Sequence, residues 1–189
     1  MENIYIHETA VIDQPCSIGK NSKIWHFCHI MKNSSIGLNT VLGQNVFIAE
    51  NVKIGNNCKI QNNVSLYNGI QCEDDVFIGP SAVFTNVINP RSFIERKEEF
   101  KKTILRKGCS IGANATIICG NKIGRFSLVG AGSVVNRDVL EFEVVVGNPI
   151  RNIGWISKEG EKLIFDKKNK AIFKGITYHL LDRIVKIIE

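Results

Sequence analysis

An aliphatic side chain recurs at every sixth position through most of this chain, and that period constrains the fold more than any other feature. Counting from Ile6, the slots hold Ile12, Ile18, Ile24, Ile30, Ile36, Leu42, Ile48, Ile54, Ile60, Leu66 and Ile78, with Cys72 and Phe84 as exceptions. The phase breaks after Phe84 and resumes at Leu105, Ile111, Ile117, Ile123, Val129 and Val135, so 18 of 20 slots are Ile, Leu or Val. These three types make up 53 of 189 residues, so chance would fill between five and six of those slots. Six is a multiple of the strand period of two and not of the helical 3.6, so each slot and the position four after it face the same way. That fourth position holds small or β-branched residues such as Cys16, Ser22, Thr40, Val46, Cys58, Val64, Ala82 and Ala115, and glycine often follows the slot directly, as at Gly19, Gly37, Gly43 and Gly55. Each unit is then a short strand and a bend, with one large and one small inward side chain filling a narrow interior. Such a chain is expected to coil as a parallel β-solenoid with turns about 4.8 Å apart.

Composition removes several alternatives. A length of 189 residues with 44% hydrophobic and 22% charged residues suits one globular domain. No stretch approaches the roughly 18 to 20 consecutive apolar residues of a membrane-spanning helix, and the first residues lack a basic segment followed by an apolar core, so a cytoplasmic protein with no membrane partner is expected. The formal net charge of +6 raises nucleic acid as a partner. The excess is local, however: residues 86–110 carry seven Lys or Arg against three Glu, and residues 155–189 carry eight against five acids. No continuous stripe could follow a polynucleotide, so no nucleic-acid partner is expected and a small anion fits better. Cys16, Cys28, Cys58 and Cys109 take the small inward position and Cys72 an aliphatic slot, which makes them core filler; only Cys119 falls at a bend. His26 and His29 are three apart with no later histidine in the repeat, so no metal site is expected.

The six-residue pattern over residues 1–157 resembles the hexapeptide-repeat acyltransferases. That resemblance implies a left-handed parallel β-helix with three faces, hence three six-residue units to each coil. The expected fold is all-β, with an extruded loop at about residues 86–104 and a small C-terminal extension over 158–189. The extension reads as a hairpin around the Lys-Asn turn of EKLIFDKKNKAIFK, then a short helix where LLDRIVKIIE spaces its apolar residues in a helical manner. With three units per coil, His26, Gln44, Asn62 and Pro80 form one corner column, and Lys32, Glu50, Asn68 and Asn86 the next. Leu105 follows Phe84 by 21 positions, three more than a coil, without a repeat. Long loops in a compact repeat are usually functional. Asn89-Pro90-Arg91 is a turn that aims Arg91, and Phe93 and Ile94 give the loop something to bury.

A narrower resemblance rests on Ile24-Trp25-His26-Phe27, Gly43-Gln44-Asn45-Val46, Lys59-Ile60-Gln61-Asn62-Asn63-Val64-Ser65, Gly79-Pro80-Ser81, Phe84-Thr85-Asn86-Val87, the loop from Asn89 to Lys97, and Gly147-Asn148-Pro149 through Trp155. These stretches are similar to nucleotide-sugar N-acetyltransferases that acetylate the 3-amino group of UDP-2-acetamido-3-amino-2,3-dideoxy-D-glucuronate in surface-glycan biosynthesis, such as that of lipopolysaccharide O-antigen. The resemblance implies acetyl-CoA as co-substrate, no metal, and a homotrimer with active sites between neighbouring β-helices. It assigns Asn86 to orienting the sugar, with the CoA sulfur accepting the proton and His26 as the rival general base. Nucleotide-sugar contacts fall to Arg91, Arg96, Glu95, Gln61, Asn62 and Tyr67, where arginine suits a carboxylate or phosphate. The pantetheine arm of CoA would pass Gly112, Ala113, Gly130 and Ala131, and its phosphates would meet Arg137 and Arg151. His26 and Asn86 are separated by ten repeat units, not a multiple of three, so they occupy different edges and could meet only across subunits. The competing expectations are a dTDP-3-amino-3,6-dideoxyhexose N-acetyltransferase and a noncatalytic β-helix scaffold.

Overall fold

The computed structural model describes residues 3–188. Short strands, mostly of two residues, lie on three faces and pair in parallel with the strand one coil on. On the first face Ile6 aligns with Ile24, Ile24 with Leu42, Leu42 with Ile60 and Ile60 with Ile78. The other faces repeat this through His29–Ile30 on Phe47–Ile48 and Ser35–Ile36 on Lys53–Ile54. Backbone groups are satisfied between coils, as where the Trp25 N–H donates to the Leu42 carbonyl at 3.1 Å and the Gly43 N–H to Ile60 at 2.7 Å. Inward slots from Ile24 onward are buried, together with their small companions. Two companions that carry hydroxyls donate to the next coil, Ser22 Oγ to the Gly37 carbonyl at 2.8 Å and Thr40 Oγ1 to Gly55 at 3.0 Å.

The corners explain the asparagines and glycines. The third residue after each slot commonly adopts positive φ, and Asn21, Asn33, Asn39, Asn45, Asn51, Asn57, Asn63, Asp75, Ser81 and Asn114 hold it. Asn tolerates this left-handed region better than other side chains. One corner adds a ladder in which Asn21, Asn39 and Asn57 each donate from Nδ2 to the next Oδ1 at 3.2, 3.2 and 3.0 Å, ending on Asp75. Glycine after a slot is dictated by stacking: a Cβ on Gly112 would run into the Ala131 backbone nitrogen, and one on Gly79 would sit 2.6 Å from that of Ala113.

The inward cysteines are desolvated, and burial pushes the Cys58 thiol up to about 11 and that of Cys109 well above its ordinary range. The folded protein is therefore expected to leave Cys28, Cys58, Cys72 and Cys109 unmodified by a thiolate-selective disulfide reagent at mildly alkaline pH, since the thiolate is the reacting species. Mass spectrometry of digests after brief labelling checks this, and rapid modification of Cys58 or Cys109 in the native state would contradict it.

The phase break is not a coil with three extra residues. Phe77 aligns with Ser110 and Val83 with Thr116, and Cys72 lies directly under Leu105. Leu105 therefore takes the slot that follows Phe84, and the whole stretch between them replaces a single six-residue step. The excess is an excursion out of the stack between Val83–Phe84 and Thr103–Leu105. The Lys101 N–H donates to the Asn86 carbonyl at 2.9 Å, closing the insertion at its base. Within it Phe93 stays 83% exposed rather than packing down as expected.

The parallel stack ends with Glu143–Val146 over Leu128–Val129, followed by antiparallel Arg151–Ile156 and Lys162–Leu163. The C-terminal helix does not form. Lys170–Phe173, Ile176–Leu181 and Ile184–Ile188 make an antiparallel sheet whose tight turns place Lys174, Gly175, Asp182 and Arg183 at positive φ. β-branched residues in IVKII favour a strand, and Val185 is buried between exposed Ile184 and Lys186, a period of two. The Lys-Asn turn does form, with the Asp166 carboxylate accepting the Lys168 and Lys170 N–H groups. The strands on its two sides do not pair with each other, however: Lys162–Leu163 pairs with Trp155–Ile156, and Lys170–Phe173 with Ile176–Leu181. A second core of Phe142, Trp155, Leu163, Ala171, Tyr178 and Val185 fastens this sheet to the last coil.

Candidate active site

The corner after the first face stacks His26, Gln44 and Asn62 as the coil register requires. Asn62 Oδ1 accepts the Gln44 N–H at 2.9 Å, which fixes that carboxamide and leaves its Nδ2 without a partner among the described residues. Trp25, His26, Gly43, Gln44, Gln61 and Asn62 are among the residues that line a shallow groove of about 310 Å³. The His26 ring lies parallel to Trp25, 2° between planes, and stacks on His7 with centroids 3.4 Å apart. His7 Nδ1 accepts the Thr9 N–H at 3.2 Å and contacts Thr9 Oγ1 at 2.9 Å. Sequence reasoning missed His7, because the register places Glu8, one position later, in the His26 column.

The next corner column holds Lys32, Glu50, Asn68 and Asn86, and the Lys32–Glu50 pair at 3.6 Å follows from that stacking. Asn86 stands where the insertion leaves the coil. Its carbonyl is used by Lys101, while its half-buried carboxamide makes no hydrogen bond among the described residues. His26 and Asn86 occupy different corners and different coils, and a single subunit does not bring them together. Tyr67 is exposed beside the second face, with its ring 6.0 Å from that of Phe47.

Two ion pairs form within the insertion. Arg96 donates from one nitrogen to both Glu99 oxygens, at 2.7 and 2.9 Å. Glu95 pairs with Lys97 at 2.8 Å, and this contact holds its carboxyl below the usual range. Arg91 is exposed and donates to its neighbouring Pro90 carbonyl at 2.8 Å.

Among the residues assigned to CoA, the glycines and alanines form two stacked corners, Gly112-Ala113 over Gly130-Ala131. Coil packing requires glycine at 112, where a Cβ would run into the Ala131 backbone, whereas a Cβ on Gly130 would meet only the Val146 side chain, at 2.6 Å. Arg137 is engaged by Glu143, at 3.0 and 3.3 Å, and by the Asp138 carbonyl. Glu143 is fully buried and also accepts from the Leu140 N–H and Asn152 Nδ2. Sequence reasoning missed this network because an isolated acid in a strand carries no pattern. Arg151 is exposed and has no ion pair among the described residues.

A three-faced parallel solenoid with six-residue steps, a polar groove and an inserted loop defines the class of hexapeptide-repeat transferases. Residues 15–50 and 33–68 match the bacterial transferase hexapeptide (six repeats) family, and residues 104–137 match the hexapeptide repeat of succinyl-transferase. These repeats indicate a left-handed helix. The chain is 41% identical over 184 residues to a dTDP-3-amino-3,6-dideoxy-alpha-D-galactopyranose 3-N-acetyltransferase of Aneurinibacillus thermoaerophilus, covering 97% of this chain and 95% of that protein. A 2,3,4,5-tetrahydropyridine-2,6-dicarboxylate N-acetyltransferase of Staphylococcus aureus matches more narrowly, 35% over 79 residues, which is 42% of this chain and 30% of that protein. Among solved structures, a hexapeptide-repeat acetyltransferase of Vibrio cholerae complexed with acetyl coenzyme A superposes with a TM-score of 0.57 at 29% identity, covering 65% of this chain and 70% of that one. A mutant N-acyltransferase of Bacillus cereus in complex with dTDP-4-amino-4,6-dideoxyglucose and coenzyme A gives 0.53 at 25%, covering 82% and 81%. The chain belongs to the hexapeptide-repeat nucleotide-sugar N-acetyltransferases.

Proposed function

We propose that the chain transfers the acetyl group of acetyl-CoA to the 3-amino group of a dTDP-3-amino-3,6-dideoxyhexose. The observation that carries this reading is the 41% identity, over nearly the whole of both chains, to an enzyme named for that reaction. The insertion agrees with it. A uronate would need an uncommitted arginine, yet the less exposed of the two candidates, Arg96, is already neutralised by Glu99. The UDP-aminouronate reading, which the loop sequence supports, then depends on Arg91 alone.

In the proposed reaction the neutral sugar amine attacks the thioester carbonyl, the carbon–sulfur bond breaks, and the amine proton passes to the departing CoA sulfur. Asn86, with its free carboxamide, accepts from the amine and holds it in line, so that catalysis comes mainly from positioning. Arg151 supplies charge for a CoA phosphate. A cytoplasmic homotrimer completes the reading, because His26 and Asn86 face a common cleft only if a neighbouring chain brings one corner against the other.

The test compares kcat/KM for dTDP-3-amino-3,6-dideoxygalactose and UDP-2-acetamido-3-amino-2,3-dideoxyglucuronate, with acetyl-CoA and a thiol-release readout. A site built to pair with polar substrate groups discriminates by more than about 10²-fold, in favour of the dTDP sugar on this reading. The reverse preference would restore the uronate, and no release with either would favour a scaffold.

A further inference from the structure

Three phenylalanines occupy the left-handed corner position that asparagine otherwise fills: Phe27, Phe126 and Phe142, with φ of 56°, 55° and 61°. A bulky aromatic residue is an outlier there and persists only where something else requires it. For two of them the reason is packing. Phe126 and Phe142 stack at 5.4 Å, Tyr178 meets Phe142 edge-on at 5.6 Å, and together they seat the C-terminal sheet. Phe27 has no such reason among the described residues. It is 58% exposed, and the ring beside it is that of His26, at 6.1 Å and a 52° tilt. It also displaces an asparagine from a column in which Asn45 donates from Nδ2 to Asn63 Oδ1 at 3.2 Å. The unusual backbone is held from below, where Thr9 Oγ1 accepts the Phe27 N–H at 2.9 Å.

Phe27 continues a run of three consecutive rings, Trp25, His26 and Phe27, around one corner. Trp25 and His26 line the groove together with the carboxamides of Gln44, Gln61 and Asn62, and Phe27 follows directly after them in the chain, outside that lining. Aromatic planes beside carboxamides, which both donate and accept, suit a flat heterocycle with a polar edge, and the pyrimidine-dione of uridine or thymidine nucleotides has that chemistry. Taking the nucleotide-sugar reading above as its premise, we propose that Phe27 is a substrate-contacting residue: it is kept in the left-handed conformation so that its ring, next to Trp25 and His26, stacks on the pyrimidine base of the nucleotide sugar.

The slot supplies its own control, because Phe27→Asn installs the residue that this corner position holds at Asn45 and Asn63. The substitution is expected to raise Tm by about 2 to 6 °C as the backbone strain is relieved. It is also expected to weaken binding of dTDP and UDP by about tenfold in isothermal titration calorimetry, the loss that one base–aromatic stack confers. The KM for acetyl-CoA is expected to stay the same, and Phe27→Tyr to restore nucleotide binding. A higher Tm with unchanged nucleotide Kd would overturn the proposal, and a shift in sedimentation with unchanged Kd would assign the ring to contact between copies instead. If the wild-type chain binds dTDP or UDP but acetylates no nucleotide sugar, the functional reading fails while the titrations still decide the role of Phe27. If it binds neither nucleotide, the base-stacking role fails with it.

Discussion

Replacing Asn86 with alanine is expected to lower kcat by about 10²-fold, in the range seen when one oriented polar group is removed from a transition state. The same variant is expected to keep its Tm within about 2 °C of wild type, as surface substitutions away from special features usually do. The two halves of this expectation follow from one observation. The Asn86 carbonyl ties down the insertion through Lys101, and alanine preserves that bond, whereas the carboxamide has no partner among the described residues to lose. A large fall in Tm would mean that the side chain is structural. The pH profile separates the rival mechanism. If the sugar amine must simply be neutral, the acid limb of kcat survives in His26→Ala; if His26 takes the proton, that limb disappears with the imidazole.

The second large effect concerns stability. Glu143→Ala is expected to cost about 3 kcal/mol, because removing the fully buried carboxylate strands the Leu140 N–H and the Asn152 carboxamide and releases the half-exposed Arg137. That corresponds to a fall in Tm of about 6 to 12 °C for a chain of this size. The carboxylate is fully buried and accepts from Arg137, from the Leu140 N–H at 2.8 Å and from Asn152 Nδ2 at 3.2 Å, so it joins the last coil to the antiparallel strand that follows. Arg137→Ala tests the other side of the pair. With its guanidinium committed to Glu143, the variant is expected to melt earlier while its KM for acetyl-CoA changes less than twofold. A tenfold rise in that KM at unchanged Tm would return Arg137 to the CoA phosphates.

Whatever repeats in this chain is legible in its sequence. The six-residue period reveals the faces, the register and the inward cysteines, because each coil lies on a near copy of itself and the same contacts recur. The corner columns of His26 and Asn86 follow from that register. Contacts made only once leave no such trace. The insertion is legible as an extruded loop because the six-residue pattern stops there, but which slot Leu105 takes is not, since the length of the excursion does not reveal how much of it leaves the stack. The C-terminal strands read as a helix because apolar spacing in LLDRIVKIIE fits both periods, and the Asp182-Arg183 turn lacks the Asn-Gly signature of a tight hairpin. The glycines at 112 and 130 suggest room for pantetheine, yet the backbone of the next coil by itself accounts for glycine at 112. Phe27 sits in plain view within Trp25-His26-Phe27, but its significance is a backbone angle, which no residue pattern displays.

Acetyl transfer is measured directly by incubating the protein with acetyl-CoA and dTDP-3-amino-3,6-dideoxygalactose, following thiol release, and locating the new acetyl group by NMR. One CoA thiol is expected to be released per sugar, with the acetyl group on the 3-nitrogen. Absence of thiol release with this and every other nucleotide-linked amino sugar, from a folded protein, would contradict the proposed transfer.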